Sequence, residues 1–181
     1  SQGHNLFTDA NLVIDTKWKL GLIGRNGRGK TTLMKLLQGQ LPHEGKIFHQ
    51  LQFTYFPQPV TDPSQLTYYV LQDQGEFEDW QIQRELNLLK VDPEILWRPF
   101  DSLSGGEQTK VLLALLFVED ASYPLIDEPT NHLDILGRRQ VAEYLRHKRQ
   151  GFILISHDRS FVDEVVDHIL SIEKSQLVLY Q

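Results

Sequence analysis

An α/β fold, a mainly parallel sheet flanked by helices, is what this 181-residue sequence predicts, and three observations carry the prediction. Short apolar runs alternate with helix-like patterns in a βαβ rhythm, the arrangement that lays helices against a sheet. "FILIS" at 152–156 is apolar without a break, as expected of a parallel strand buried on both faces. "GRNGRGKT" at 24–31 places a glycine-rich turn between a strand pattern and a helix pattern.

Along the chain, "NLVIDTKWKLGLIG" (11–24) reads as two short strands around a "DTK" turn. "KTTLMKLLQGQ" reads as a helix with Leu33, Leu36 and Leu37 on one face. "GKIFHQLQFTYFPQP" (45–59) is strand-like and stopped by prolines. Residues 60–101 change character: "SQLTYYVLQDQ" and "EDWQIQRELNLLK" are helical without a strong strand candidate, so this stretch is expected to form a helical subdomain. The aromatic residues between 53 and 97 are expected mainly in the core, since they do not interleave with basic residues as a nucleic-acid stacking platform would.

"SLSGGEQTKVLLALLF" (102–117) has Ser104 as a cap and Glu107 three residues on, ahead of an apolar run, which is a helix start. With Gly105 and Gly106 leaving backbone N–H groups unshielded, that start can receive an anion. "PLID" follows as a strand, expected to begin near Pro124 or Leu125 and to be short, because proline donates no ladder hydrogen bond. A helix from Ile135 to Arg149, the "FILIS" strand, a helix near "RSFVDEVVD" and a closing hairpin in "HILSIEKSQLVLYQ" complete the reading. The whole is expected to be one domain over 1–181.

Composition narrows the function classes. Hydrophobic content of 40% and charged content of 23% are those of an ordinary globular domain. The net charge of −6 argues against a surface that coats nucleic acid throughout. With no cysteine, disulfides, thiolate catalysis and cysteine-bound zinc are excluded. The apolar run "VLLALLFV" (111–118) is far shorter than the ~20 residues that span a bilayer.

The chemistry concentrates in three motifs. Gly24, Arg25, Asn26, Gly27, Arg28, Gly29, Lys30 and Thr31 match the phosphate loop G-x-x-x-x-G-K-[ST] in its strand-to-helix context. Its backbone amides would cradle a β-phosphate, Lys30 would supply charge at the β/γ oxygens, and the Thr31 hydroxyl would face Mg²⁺. Thr32 stands where a dinucleotide fingerprint needs glycine, so that alternative fails. In "PLIDEPTNHLD", Asp127 at a strand end suits a Mg²⁺ partner, and Glu128 would sit beside the γ-phosphate and orient a water. "LISHD" puts His157 just past another strand end.

Two other enzyme classes compete for these residues. Ser156, His157 and Asp158 spell a hydrolase triad, but neighbouring strand residues point to opposite faces and no nucleophile elbow is present. A metal hydrolase built on Asp127, His132, Asp134 and His157 lacks metal-ligand spacing and leaves the phosphate loop unexplained. The basic run "GRRQVAEYLRHKRQ" reads first as a solvated helix face, with an RNA contact as the lesser alternative.

Taken together, these residues resemble the ATP-binding-cassette (ABC) ATPases. "GRNGRGKT" looks like the Walker A loop, "LSGGE" the signature, "PLIDE" the Walker B segment, Gln58 in "YFPQ" the Q-loop, "NHLD" the D-loop and "SHD" the switch histidine. "EPTNHLD" is similar to the ABC-F group, soluble proteins with two cassettes in tandem, and "LWRPFDSLSGGE" to its antibiotic-resistance branch of the Lsa and Vga type. The resemblance implies a P-loop ABC cassette with a helical subdomain and an antiparallel β part. It implies ATP and Mg²⁺ as cofactors, with Thr31, Gln58 and Asp127 at the metal and Lys30, Glu128 and His157 catalytic. The signature residues Ser104 to Glu107, together with Asp134, would meet ATP held by a second cassette.

A cytoplasmic, ribosome-associated ATPase is therefore expected, weak in isolation; a motor subunit of an ABC membrane transporter is the alternative, and a nucleotide-sensing assembly module without turnover is a third. Ser1 is not a translation start, since Met34 is the only methionine. The chain is accordingly expected to be the first cassette of a tandem protein, trimmed at the front and without a clear adenine-stacking aromatic, Phe7 lying too close to the next strand.

Overall fold

A computed structural model of the chain describes residues 15–23, 53–119, 122–173 and 176–181. The expected phosphate loop, the helix after it, the first strand before "DTK" and Phe7 all lie outside these residues.

Among the described residues, six strands form one sheet in the order β2-β3-β4-β1-β5-β6. They are β1 (Lys19–Ile23), β2 (Phe53–Phe56), β3 (Tyr123–Asp127), β4 (Phe152–Ile155), β5 (His168–Glu173) and β6 (Gln176–Tyr180). All pairings are parallel except β5 with β6, the expected closing hairpin. β4 is buried at all four residues, and its side chains alternate between two cores, as a pleated strand requires. Phe152 and Leu154 face the helices, whereas Ile153 and Ile155 join Leu20, Leu22, Leu125 and Leu170 on the opposite face.

Glycine is required at two close approaches. A Cβ on Gly21 in β1 would stand 2.6 Å from Val162 Cγ1, and one on Gly151, ahead of β4, only 2.1 Å from the Thr16 carbonyl oxygen. The first contact lets a helix lie close on the central strand. The second lets Gly151 N–H donate to Thr16 O at 3.0 Å.

β3 starts at Tyr123, ahead of the expected start, and its five residues match β1 in length. Pro124 stands opposite Thr54 in the β2–β3 ladder but ahead of the β3–β4 ladder, which begins at Leu125. The helical subdomain is present: α1 (Thr67–Gln72), α2 (Asp79–Leu88) and two 3₁₀ turns, Pro93–Trp97 and Phe100–Ser102. Then come α3 (Gly105–Leu116), α4 (Ile135–Arg146) and α5 (Arg159–Val165). α4 stops a turn earlier than the expected Arg149, with His147 as its C-cap.

The subdomain is tied to α4 through a buried charge. Glu85 on α2 is fully buried; it accepts a hydrogen bond from Tyr144 Oη at 2.6 Å and pairs with Lys148 and with Arg84. Lys148 also lies over the rings of Tyr144 and Phe117. Burial, with the Glu85 carboxylate beside it, holds the Tyr144 hydroxyl well above its ordinary pKa, so it remains a donor.

Two expectations change here. The core reading of the aromatics fails for Tyr69, Trp80 and Trp97, which are 47%, 59% and 53% exposed. The basic run after Gly137 is only partly a solvated face: Arg139, Arg146, His147 and Arg149 are exposed, but Lys148 is packed inward and Arg138 is held by a carboxylate of α5.

Candidate functional site

Register brings three strand ends level. Leu22 of β1 and Asp127 of β3 both pair with Ile155 of β4, so the segments after Asp127 and Ile155 leave the sheet at the edge where β1 ends. Ligands of open α/β sheets bind beyond these carboxyl ends.

Glu128 turns the chain there. It has φ of 51°, the left-handed region that a non-glycine residue seldom adopts, and such strain concentrates at functional sites. The conformation is held by its N–H, which donates to Ile155 O at 2.7 Å. Its carboxylate then meets His157: the His157 backbone N–H donates to Oε1 at 3.0 Å, and ring Nε2 lies 3.3 Å from the same oxygen. The carboxylate is 15% exposed and the imidazole 81%. Two residues proposed from separate motifs are thus adjacent, one sheltered and one facing solvent. Asp127 is exposed at the end of β3.

Asp158 does not act with Ser156 and His157 as a triad. Its Oδ1 accepts from Phe161 N–H at 3.1 Å to cap α5, while Arg138 Nε and Nη2 donate to its two oxygens at 2.6 and 3.0 Å. Arg138 also donates to Ser160 Oγ at 2.6 Å. The guanidinium holds the Asp158 carboxyl well below the usual carboxylate range. Ser156 Oγ accepts from the Asp158 N–H at 3.1 Å. This clamp joins α4 to the segment carrying His157, and sequence reading missed it. The Asp-x-x-Phe cap was legible; the Arg138 partner, twenty positions earlier, had no local signal.

The helix start expected at Ser104 forms with its capping box. Ser104 Oγ accepts from Glu107 N–H at 3.1 Å and Ser104 N–H donates to Glu107 Oε1 at 2.9 Å, a complete capping box at the start of α3. The box satisfies the N–H groups of Ser104 and Glu107. A groove of about 520 Å³ opens beside it, lined by Ser104, Gly105, Gly106, Glu107, His132 and Asp134 among others. Gly105 is needed against the next loop, since a Cβ there would stand 3.0 Å from His132 Cβ. Asp134 caps α4 by accepting from Gly137 N–H at 2.7 Å. Lys110 enters the same groove and donates to Gln140 Oε1 at 2.5 Å; burial lowers its pKa, opposed by Asp134 and Glu107. Ile135, 81% exposed, and Leu136, 59% exposed, rim this face.

Gln58 follows β2, the strand beside β3. Its Nε2 donates to Leu112 O on α3 at 3.0 Å, and its buried Oε1 has no partner among the described residues. A free amide oxygen and the Asp127 carboxylate are hard donors suited to Mg²⁺, which keeps water and phosphate as its other ligands. Among the described residues no group of three His, Asp or Glu could hold a metal alone, which leaves the metal-hydrolase reading without a site.

The mainly parallel sheet flanked by helices, with its helical subdomain, is the α/β fold of an ATP-binding cassette of the phosphate-loop class. The chain belongs to the ABC transporter family: the family profile described as ABC transporter matches residues 7–131. It is 32% identical over 97% of its length to ABC transporter F family member 2 of Arabidopsis thaliana, of which it covers 27%. To the ribosome protection protein VmlR of Bacillus subtilis it is 33% identical over 97% of its length, covering 30% of that protein. Among solved structures, a dimeric post-hydrolysis ATP-binding cassette bound to ADP and Pi matches in fold, with a TM-score of 0.66 at 15% identity over 92% of this chain and 85% of that one. The chain thus spans about a quarter to a third of these curated relatives.

Proposed function

We propose that this cassette binds Mg²⁺-ATP and hydrolyses it in a composite site shared with a second cassette, as part of a ribosome-associated ABC-F factor that protects against antibiotics. The observation that carries the reading is the pairing of Glu128 with His157 at the same sheet edge from which β1 ends. Lys30 and the backbone of residues 24–32 would hold the phosphates. Asp127, Gln58 and Thr31 would hold Mg²⁺, which neutralises phosphate charge. Glu128 would orient the attacking water, with its carboxylate aimed by the His157 N–H. Ser104 to Glu107 and Asp134 front a groove of their own, and would there meet the γ-phosphate held by a partner. The relative named a ribosome protection protein supports the ribosomal part.

A mixing experiment tests the composite site. A chain with Ser104→Arg and a chain with Lys30→Ala should each be inactive, yet phosphate release should return on mixing, because the heterodimer rebuilds one whole site. Specific activity of the unmutated chain should rise with its concentration. Activity that is independent of concentration, with no recovery on mixing, would overturn the shared site.

A groove of about 270 Å³ beside Gln58, lined by Tyr55, Pro59, Gln74 and Leu115 among others, favours the transporter-motor alternative. Co-purification with a transmembrane subunit, rather than with ribosomes, would decide for it.

A further inference from the structure

The surface farthest in character from the ATP chemistry lies on the helical subdomain. Tyr68 stacks on Trp97 with ring centroids 4.9 Å apart and meets Tyr69 and Phe77 edge to face at 5.6 and 5.8 Å. Its hydroxyl donates to Asp79 Oδ1 at 2.6 Å. Tyr69 and Trp97, about half exposed, carry this ring cluster to the surface. The next residue after Asp79 is Trp80, 59% exposed, whose ring receives the Arg84 guanidinium at 5.2 Å. These rings line neither the groove beside Gln58 nor the one at the start of α3.

Their electrostatic setting is one-sided. Residues 60–101 hold nine carboxylates and three cationic side chains, a surplus of six that equals the net charge of the entire chain. Glu85 is buried and ion-paired, but Asp73, Glu76, Glu78 and Asp79 are exposed around Phe77 and Trp80. Asp73 follows Tyr69 by one helical turn, its N–H donating to the Tyr69 carbonyl at 3.0 Å, so ring and carboxylate share a face. Such a surface repels phosphate backbones. It attracts ammonium and guanidinium groups twice over, through carboxylates and through ring faces, and long basic side chains lay their methylene stems on exposed rings.

We propose that this acidic aromatic face docks an arginine- and lysine-rich segment of a partner protein. Trp97 and Tyr69 take the stems and planes of the basic side chains, and Asp73, Glu76 and Asp79 take their charges. Trp80 with Arg84 shows the same pairing already made within the chain.

The test uses the whole chain and a fluorescein-labelled 12-residue peptide of alternating Arg and Gly, read by anisotropy. Binding is expected to weaken at least about tenfold between low and physiological-to-high salt, as exposed ionic contacts are screened. Tyr69→Ala/Trp97→Ala is expected to weaken it at least about fivefold, the loss of two exposed cation–ring contacts. Asp73→Asn/Glu76→Gln/Asp79→Asn should weaken it further, with melting temperatures near that of the unmutated chain because these positions are exposed. A control, Asp163→Asn/Glu164→Gln on α5, removes two exposed carboxylates elsewhere and should leave affinity unchanged. Equal loss in the control, or undiminished binding by both patch variants, would overturn the proposal. So would direct binding of a fluorescein-labelled single-stranded RNA that both patch variants weaken, or a patch whose substitution dissociates a dimer of the chain without changing peptide affinity.

Discussion

The end of β3 and the start of α3 are built in opposite ways. At the strand ends a charged side chain must be aimed, and Glu128 reaches its place through a left-handed backbone held by Ile155 and His157. At the start of α3 the backbone relaxes into a complete capping box, and Gly105 lets the His132 loop pack beside it. One site is made from tertiary restraint, the other from local sequence. The difference teaches that aiming the Glu128 carboxylate depends on neighbours from another strand, whereas the capping box is closed by two residues three positions apart.

The largest expected effect falls on the restrained side. Glu128→Gln, in the protein paired with its second cassette, should lower turnover by about 10²–10⁴-fold while ATP affinity persists. The amide can still accept from the His157 N–H, so the geometry survives and only the charge is lost. Single-turnover phosphate release and nucleotide affinity measured together check this; unchanged turnover would move the water-orienting role to His157.

A smaller effect concerns how that edge is held. Asp158→Asn should leave the α5 cap in place but weaken the Arg138 clamp, loosening the loop that carries His157. The folded-state pKa of Asp158 is depressed, so its stabilisation is complete above the ordinary carboxylate range, which centres near ~3.9, and is lost as pH falls through the lower folded value. Thermal unfolding should therefore separate the two proteins at neutral pH and bring them together under strong acid. A gap that persists there would assign the effect to something other than the ionised carboxylate.

The smallest effect lies at the local site. Ser104→Ala removes one half of the capping box and should cost about 1 kcal/mol of stability. By denaturant midpoint the loss should be confined to that amount, while Gly105→Val, pressed against His132, should cost more. The reverse order would mean that the start of α3 depends on its neighbours as much as Glu128 does.

Much of the architecture was legible because its signals are short-range. The Ser104–Glu107 box, the buried alternation of β4, the hairpin of β5 with β6 and the helical character of 60–101 each follow from residues within a few positions of one another. The start of β3 and the end of α4 were misread by small margins. Ladder register sets Pro124 opposite Thr54 and ahead of the β3–β4 ladder, and the run beyond Arg146 is drawn inward by Glu85 rather than continued as helix.

What the sequence determined by itself was the family and the local frame: "LSGGE", "LIDE" and "SHD" are short motifs, and local backbone preferences place them at a helix start and at strand ends. Tertiary structure alone decided their partners. It brought Glu128 to His157 across 29 positions and Arg138 to Asp158, and it buried Glu85 between Tyr144 and Lys148. It also left Tyr69, Trp80 and Trp97 at the surface. The physical reason is common to all four: hydrogen bonding between distant groups and the choice of which rings stay wet depend on which elements pack together, and no residue carries that information alone.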